Sequence, residues 1–115
     1  MLDKEGEWCF PAKLLRAVDG DTADMELDLG LRQYTRDRFR LLGVDTPERG
    51  KEGFLRAKQY LQSFESQEFI VYTHKVGKYG RWLATLYLKD EWLLEDCQSI
   101  NDKILALGLG VPYGS

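Results

Sequence analysis

Two acidic clusters and a set of arginines carry what chemistry this sequence can do. Asp45 and Glu48 stand in Asp45-Thr46-Pro47-Glu48, directly after an apolar, β-prone run from Phe39 to Val44, with Arg40 a few residues behind them. A second cluster, Asp19-Gly20-Asp21-Thr22, lies well upstream. Every candidate ligand is an oxygen, which suits a hard cation such as Ca²⁺ or Mg²⁺ and disfavours zinc. Arginine adds planar, bidentate donors that match the oxygens of a phosphate. Carboxylates and guanidiniums packed where a strand gives way to a loop suggest a site for a metal ion and a phosphate. The expectation is that the fold brings the two acidic clusters together.

Each motif alone has a plainer reading. Asp19-Gly20-Asp21 fits a tight turn in which Gly takes positive φ and Asp caps the turn. Asp45 to Glu48 fits a loop entering a helix, where acids favour the N-terminus. Lys78-Tyr79-Gly80-Arg81 fits a hairpin turn. His74 sits mid-strand with no partner in the pattern and reads as a structural or surface residue. Asn101 is better explained by capping and local hydrogen bonding than by catalysis, and Met25 reads as core.

The 115 residues make one domain, 1–115, with 1–8 weakly attached and 109–115 as a short tail. No apolar run approaches membrane-spanning length, so no membrane partner is expected. The first residues have neither a basic n-region nor an apolar h-region, which argues against a signal peptide and for an intracellular protein. Cys9 and Cys97 fit no metal-ligand spacing, and reduced thiols are the expectation. The net charge of −3 argues against a protein coated in basic residues. From Arg32 to Lys58, however, eight basic residues face four acidic ones. A focused positive field of this kind suits brief capture of a polyanion better than tight non-specific binding.

The elements that would position these residues follow from the pattern. Phe10 to Val18 is a first strand, with Pro11 at an edge. From 22 to 29 the chain alternates, Ala23, Met25, Leu27 and Leu29 facing one way and Asp24, Glu26 and Asp28 the other. Asp21 shares the parity of the apolar set, so if the strand extends to it, its carboxylate points toward the core side near the mouth. A long third strand covers 33–44. Its parity separates Arg40 from Asp45 unless Gly43 bends or bulges the strand. Phe54, Ala57, Leu61 and Phe64 then recur at helical spacing, with Arg56, Lys58, Gln62 and Glu65 off that face. Glu68–Val76 and Arg81–Leu88 are the fourth and fifth strands, joined by a turn over 77–80. Ser99 to Asp102 opens a last helix with Ile100, Ile104 and Leu107 on its buried stripe and Gly108 stopping it. The fold class is therefore mainly β with helices (α+β). It is a five-stranded OB-type barrel with one helix between strands 3 and 4 and a short C-terminal helix.

Val18-Asp-Gly-Asp-Thr22, Phe39-Arg-Leu-Leu-Gly-Val-Asp-Thr-Pro-Glu48, Lys78-Tyr-Gly-Arg81 and Asn101…Gly108-Leu109 together resemble the staphylococcal nuclease (thermonuclease) family, over roughly Pro11 to Leu109. The resemblance is to a short form without a further C-terminal helix. It implies cleavage of phosphodiester bonds in DNA and RNA with a divalent cation, calcium first and magnesium second, leaving 3′-phosphate and 5′-hydroxyl ends. It also implies the roles. Asp21 and Asp45 would supply carboxylate ligands, Thr46 a backbone carbonyl, and Asp19 an outer-shell contact. Glu48 would position or deprotonate the attacking water. Arg40 and Arg81 would grip the phosphate, and Lys78, Tyr79 and Tyr113 would contact the nucleotide.

Three functions are thus in play. The first is a cation-dependent nuclease acting on nucleic acid as a monomer or weak dimer. The second is an OB-fold module that binds nucleic acid but is catalytically weak or inactive. The third is a protein-interaction domain built on the segment from Lys89 to Cys97. Degenerate copies of such a site usually lose acids or arginines, whereas Asp21, Arg40, Asp45, Glu48 and Arg81 are all present. In the Lys89–Cys97 segment, Trp92, Leu93 and Leu94 are expected to cover core surface, a dimer contact being the alternative.

Overall fold

The computed structural model describes residues 8–76 and 81–113. Its elements are β1 (Cys9–Asp19), β2 (Thr22–Gly30), β3 (Gln33–Leu41), β4 (Val44–Asp45), α1 (Phe54–Gln62), β5 (Glu68–Val76), β6 (Trp82–Leu88), α2 (Ile100–Ala106) and β7 (Val111–Pro112). Among the described residues five strands close into one barrel in the order β1-β2-β3-β6-β5. The β3–β6 seam is parallel and the other four pairings are antiparallel. This is the expected OB-type α+β barrel. The turn over 77–80, with Lys78 and Tyr79, lies outside the described residues. None of the described helices is long and apolar enough to cross a membrane.

Alternation fills the barrel. Leu14, Met25, Leu41, Phe69, Val71 and Leu86 are buried from their strands, and Ile100 and Ile104 of α2 join the same core. Full burial of one such side chain is worth about 1.5–3 kcal/mol. Helix α1 presents the expected stripe of Phe54, Ala57 and Leu61, with Phe64 packed beyond its end. Glu65, expected off that face, instead accepts the Ala17 amide at 2.8 Å. This bond lies between the two register shifts of β1, at Leu14/Arg16 and Ala17/Asp19. It ties the end of the helix to the strand that leads into Asp19-Gly20-Asp21.

Several expectations are corrected. The third strand ends at Leu41 rather than 44, because Leu42 and Gly43 turn the chain, Gly43 at φ +77°. Val44–Asp45 pairs with Val111–Pro112 instead. The stretch read as a loose tail from 109 is therefore stitched to the site as far as Tyr113, whose amide donates to the Gly43 carbonyl at 3.0 Å. Trp8 is also tied down, its carbonyl accepting the Thr73 amide, while residues 1–7 lie outside the described residues. Leu29 lies toward the end of β2 and is exposed, and Leu107 is exposed just past the end of α2. Trp92 is half-buried, its indole donating to the Tyr72 hydroxyl at 3.2 Å, but Leu93 and Leu94 face solvent. Covering the barrel falls to Trp92 alone of the three. His74 has a partner after all, Thr85 Oγ1 at 3.0 Å from Nε2.

Gly20 is needed for space and not for φ. It is absent from the positive-φ residues, but a Cβ there would stand 2.5 Å from Ala57 Cβ and 2.9 Å from Thr46 Oγ1. The turn bearing Asp21 is thus wedged between α1 and the loop bearing Thr46. Gly20→Ala is expected to destabilise the fold by about 1–3 kcal/mol through overpacking, read as a lowered urea midpoint. A wild-type midpoint would show that the wedge is loose.

Candidate active site

Both acidic clusters reach one place. β2 and β3 pair with Thr22 opposite Arg40, and the Leu41 amide donates to the Asp21 carbonyl at 2.8 Å. That register brings Asp21 alongside the end of β3. The turn at Leu42–Gly43 then folds Val44–Asp45 back over Arg40. The bend supplies what parity alone denied, and Arg40 Nη2 lies 3.5 Å from Asp45 Oδ1 and 3.5 Å from Asp21 Oδ2.

Asp21 is the buried member, at 8% exposure. A carboxylate at that depth is costly unless it is paired or hydrogen-bonded. Its Oδ2 accepts the Thr46 amide at 3.1 Å, its Oδ1 accepts the Thr22 hydroxyl at 3.1 Å, and Arg40 supplies the opposite charge. Arg40 also donates to the Val44 carbonyl at 3.3 Å. Its guanidinium lies over the Tyr113 ring, 4.6 Å from the centroid. The Tyr113 contact thus falls on Arg40.

Asp45, Thr46, Glu48 and Lys51 line one wall of a groove of about 340 Å³, with Gly108 to Val111 on the other. Gly110 lets the walls meet, since a Cβ there would lie 2.9 Å from the Asp45 carbonyl oxygen. Glu48 is exposed, and its carbonyl accepts the Lys51 amide. Arg81 is exposed one residue before β6. Leu83, the second residue of β6, registers with Arg40 across the parallel seam, which puts the start of β6 next to the end of β3. Asp19 closes β1 opposite Thr22. No three Asp, Glu, His or Cys side chains among the described residues gather closely enough to hold an ion, so no third carboxylate joins Asp21 and Asp45.

Asn101 is a further correction. It does not cap locally. It is buried, its Nδ2 donates to the Leu42 and Ala84 carbonyls at 2.9 and 3.0 Å, and its Oδ1 accepts the Leu86 amide at 3.1 Å. It fastens α2 to β6 and to the turn that folds Asp45 over Arg40. The local cap is Ser99, which accepts the Asp102 amide.

On the outer face of β2–β3, Arg38 hydrogen-bonds Asp24 at 2.8 Å. That bond holds the Asp24 carboxyl below its ordinary value of 3.8 and raises Arg38. Because the folded value is the lower one, the pair favours the folded state above about pH 4 and ceases to as pH falls through the folded value. Asp24→Asn should therefore be less stable than wild type at pH 7, the difference vanishing in acid below the carboxylate range. A difference unchanged at pH 2.5 would contradict the assignment.

The model of the family described as staphylococcal nuclease homologues matches residues 38–114. That span takes in every proposed site residue except Asp19 and Asp21. The micrococcal nuclease of Shigella flexneri is similar at 35% identity over 79 residues. The shared stretch is 68% of this chain and 42% of that protein, so the chain spans less than half the length of the curated relative it matches. With most of its residues inside the family match and the expected barrel around them, this chain belongs to the staphylococcal nuclease family.

Proposed function

We propose that this protein is a divalent-cation-dependent nuclease that hydrolyses phosphodiester bonds in DNA, RNA or both. The observation that carries the reading is the meeting of Asp21 and Asp45 at one Arg40 nitrogen, beside the groove that Glu48 lines. The donors fit a hard cation. Two carboxylates and the Thr46 carbonyl are all oxygens, and both acids already face a positive group. With only two carboxylates, most of the six to eight positions around Ca²⁺ would fall to water and substrate. When bound, the cation supplies electrostatic stabilisation to the phosphate.

The protein's own groups do the rest. Glu48 takes a proton from the attacking water, while Asp19 acts through water at the outer shell. Arg40 and Arg81 hold the non-bridging phosphate oxygens and stabilise their growing charge. Lys78, Tyr79 and Tyr113 grip the nucleotide. Water adds to phosphorus and the 5′-oxygen departs with a proton, leaving a 3′-phosphate and a 5′-hydroxyl.

The test is incubation with end-labelled single-stranded DNA and RNA in calcium, magnesium or chelator. Cleavage that needs the cation and leaves those ends supports the reading. A binding-only OB module is the second reading. Retention of oligonucleotide without cleavage in either cation would establish it.

A further inference from the structure

The cation that Asp21 and Asp45 hold in this structure is part of the chain. A single nitrogen, Arg40 Nη2, stands 3.5 Å from an oxygen of each acid and 3.3 Å from the Val44 carbonyl. The guanidinium thus supplies positive charge at the point the two acids share. It is held there by long contacts on a flexible stem, and the Arg40 side chain is one-fifth exposed. Its far face lies against the Tyr113 ring, which the Tyr113–Gly43 bond and the β4–β7 pairing fix in place.

We propose that Arg40 is the resident counter-ion of the site, and that a divalent cation binds Asp21 and Asp45 by exchange with it. This rests on those two acids being the cation ligands. The exchange deepens the proposed mechanism, because it couples two events. While Arg40 neutralises the acids, its Nη2 is committed to them and to the Val44 carbonyl and is not offered to a phosphate. Once the cation replaces it, that nitrogen is released to bind a phosphate. The arginine offers its full bidentate fork to a phosphate only in the loaded protein.

Removing a unit positive charge a few ångströms from an ion site should strengthen cation binding markedly. Calorimetric titration with calcium chloride is expected to show Arg40→Met, which keeps the stem and loses the charge, binding at least about 10-fold more tightly than wild type. Its melting temperature in chelator should fall, and calcium should restore more of it than in wild type. Equal or weaker calcium affinity in Arg40→Met, or no calcium binding by either protein, would overturn the proposal. Should that variant fail to fold, wild type labelled with ¹⁵N-arginine serves. The Arg40 Nε signal should shift along the calcium isotherm, and a signal unmoved at saturation would equally overturn it. Neither readout needs catalysis. Tighter calcium binding by the variant with no cleavage by wild type would sink the nuclease reading alone, and cleavage by wild type with unchanged affinities would sink the exchange alone.

Discussion

Glu48→Ala is expected to fold as wild type does and to lose about 10²–10⁴-fold in kcat, the usual worth of a general base. The side chain is exposed, and the fold uses the residue through its backbone carbonyl, which accepts the Lys51 amide. Truncation therefore removes a proton acceptor from the groove wall without leaving a cavity or an unpaired buried group. The matching measurements are single-turnover cleavage and a thermal melt. Wild-type turnover in a folded mutant would take Glu48 out of the mechanism.

The second large effect is expected at Arg81. Arg81→Ala should lower kcat by about 10²–10³-fold, as removal of one transition-state donor does. Arg81 is exposed one residue ahead of β6, so the substitution is not expected to disturb packing. Arg81→Lys should recover little, because an ammonium cannot span two phosphate oxygens as a guanidinium does. Steady-state kinetics separate the roles. A raised KM with unchanged kcat would make Arg81 a ground-state binder.

The fold was legible wherever its cause is local. Alternation from Ala23 to Leu27 marks a strand with one buried face, and the stripe Phe54, Ala57, Leu61 marks a helix on a core; both are present. Glu68–Val76 begins and ends where β-propensity and the following glycine say it should. The acids and Arg40 were legible as a cluster because they flank strand ends in short motifs. Their meeting was expected too, with Gly43 as the place for a bend, but its form was not: a two-residue turn at Leu42–Gly43 followed by pairing of Val44–Asp45 with Val111–Pro112. Gly20 shows the same limit. Its residue type signalled a turn, but the cause is the proximity of Ala57 and Thr46, far away along the chain. Nor does any local pattern foretell Asn101 bridging Leu42, Ala84 and Leu86, or Tyr113 lying against Arg40. Such contacts exist only once the barrel has closed.

The most direct measurement is a crystal structure of Glu48→Ala grown with calcium and a short single-stranded oligonucleotide, with anomalous differences used to place the ion. One calcium within about 2.3–2.6 Å of a carboxylate oxygen from both Asp21 and Asp45, with the scissile phosphate beside it, is the predicted result. An ion that touches only one of the two acids, or binds elsewhere on the barrel, would contradict the account.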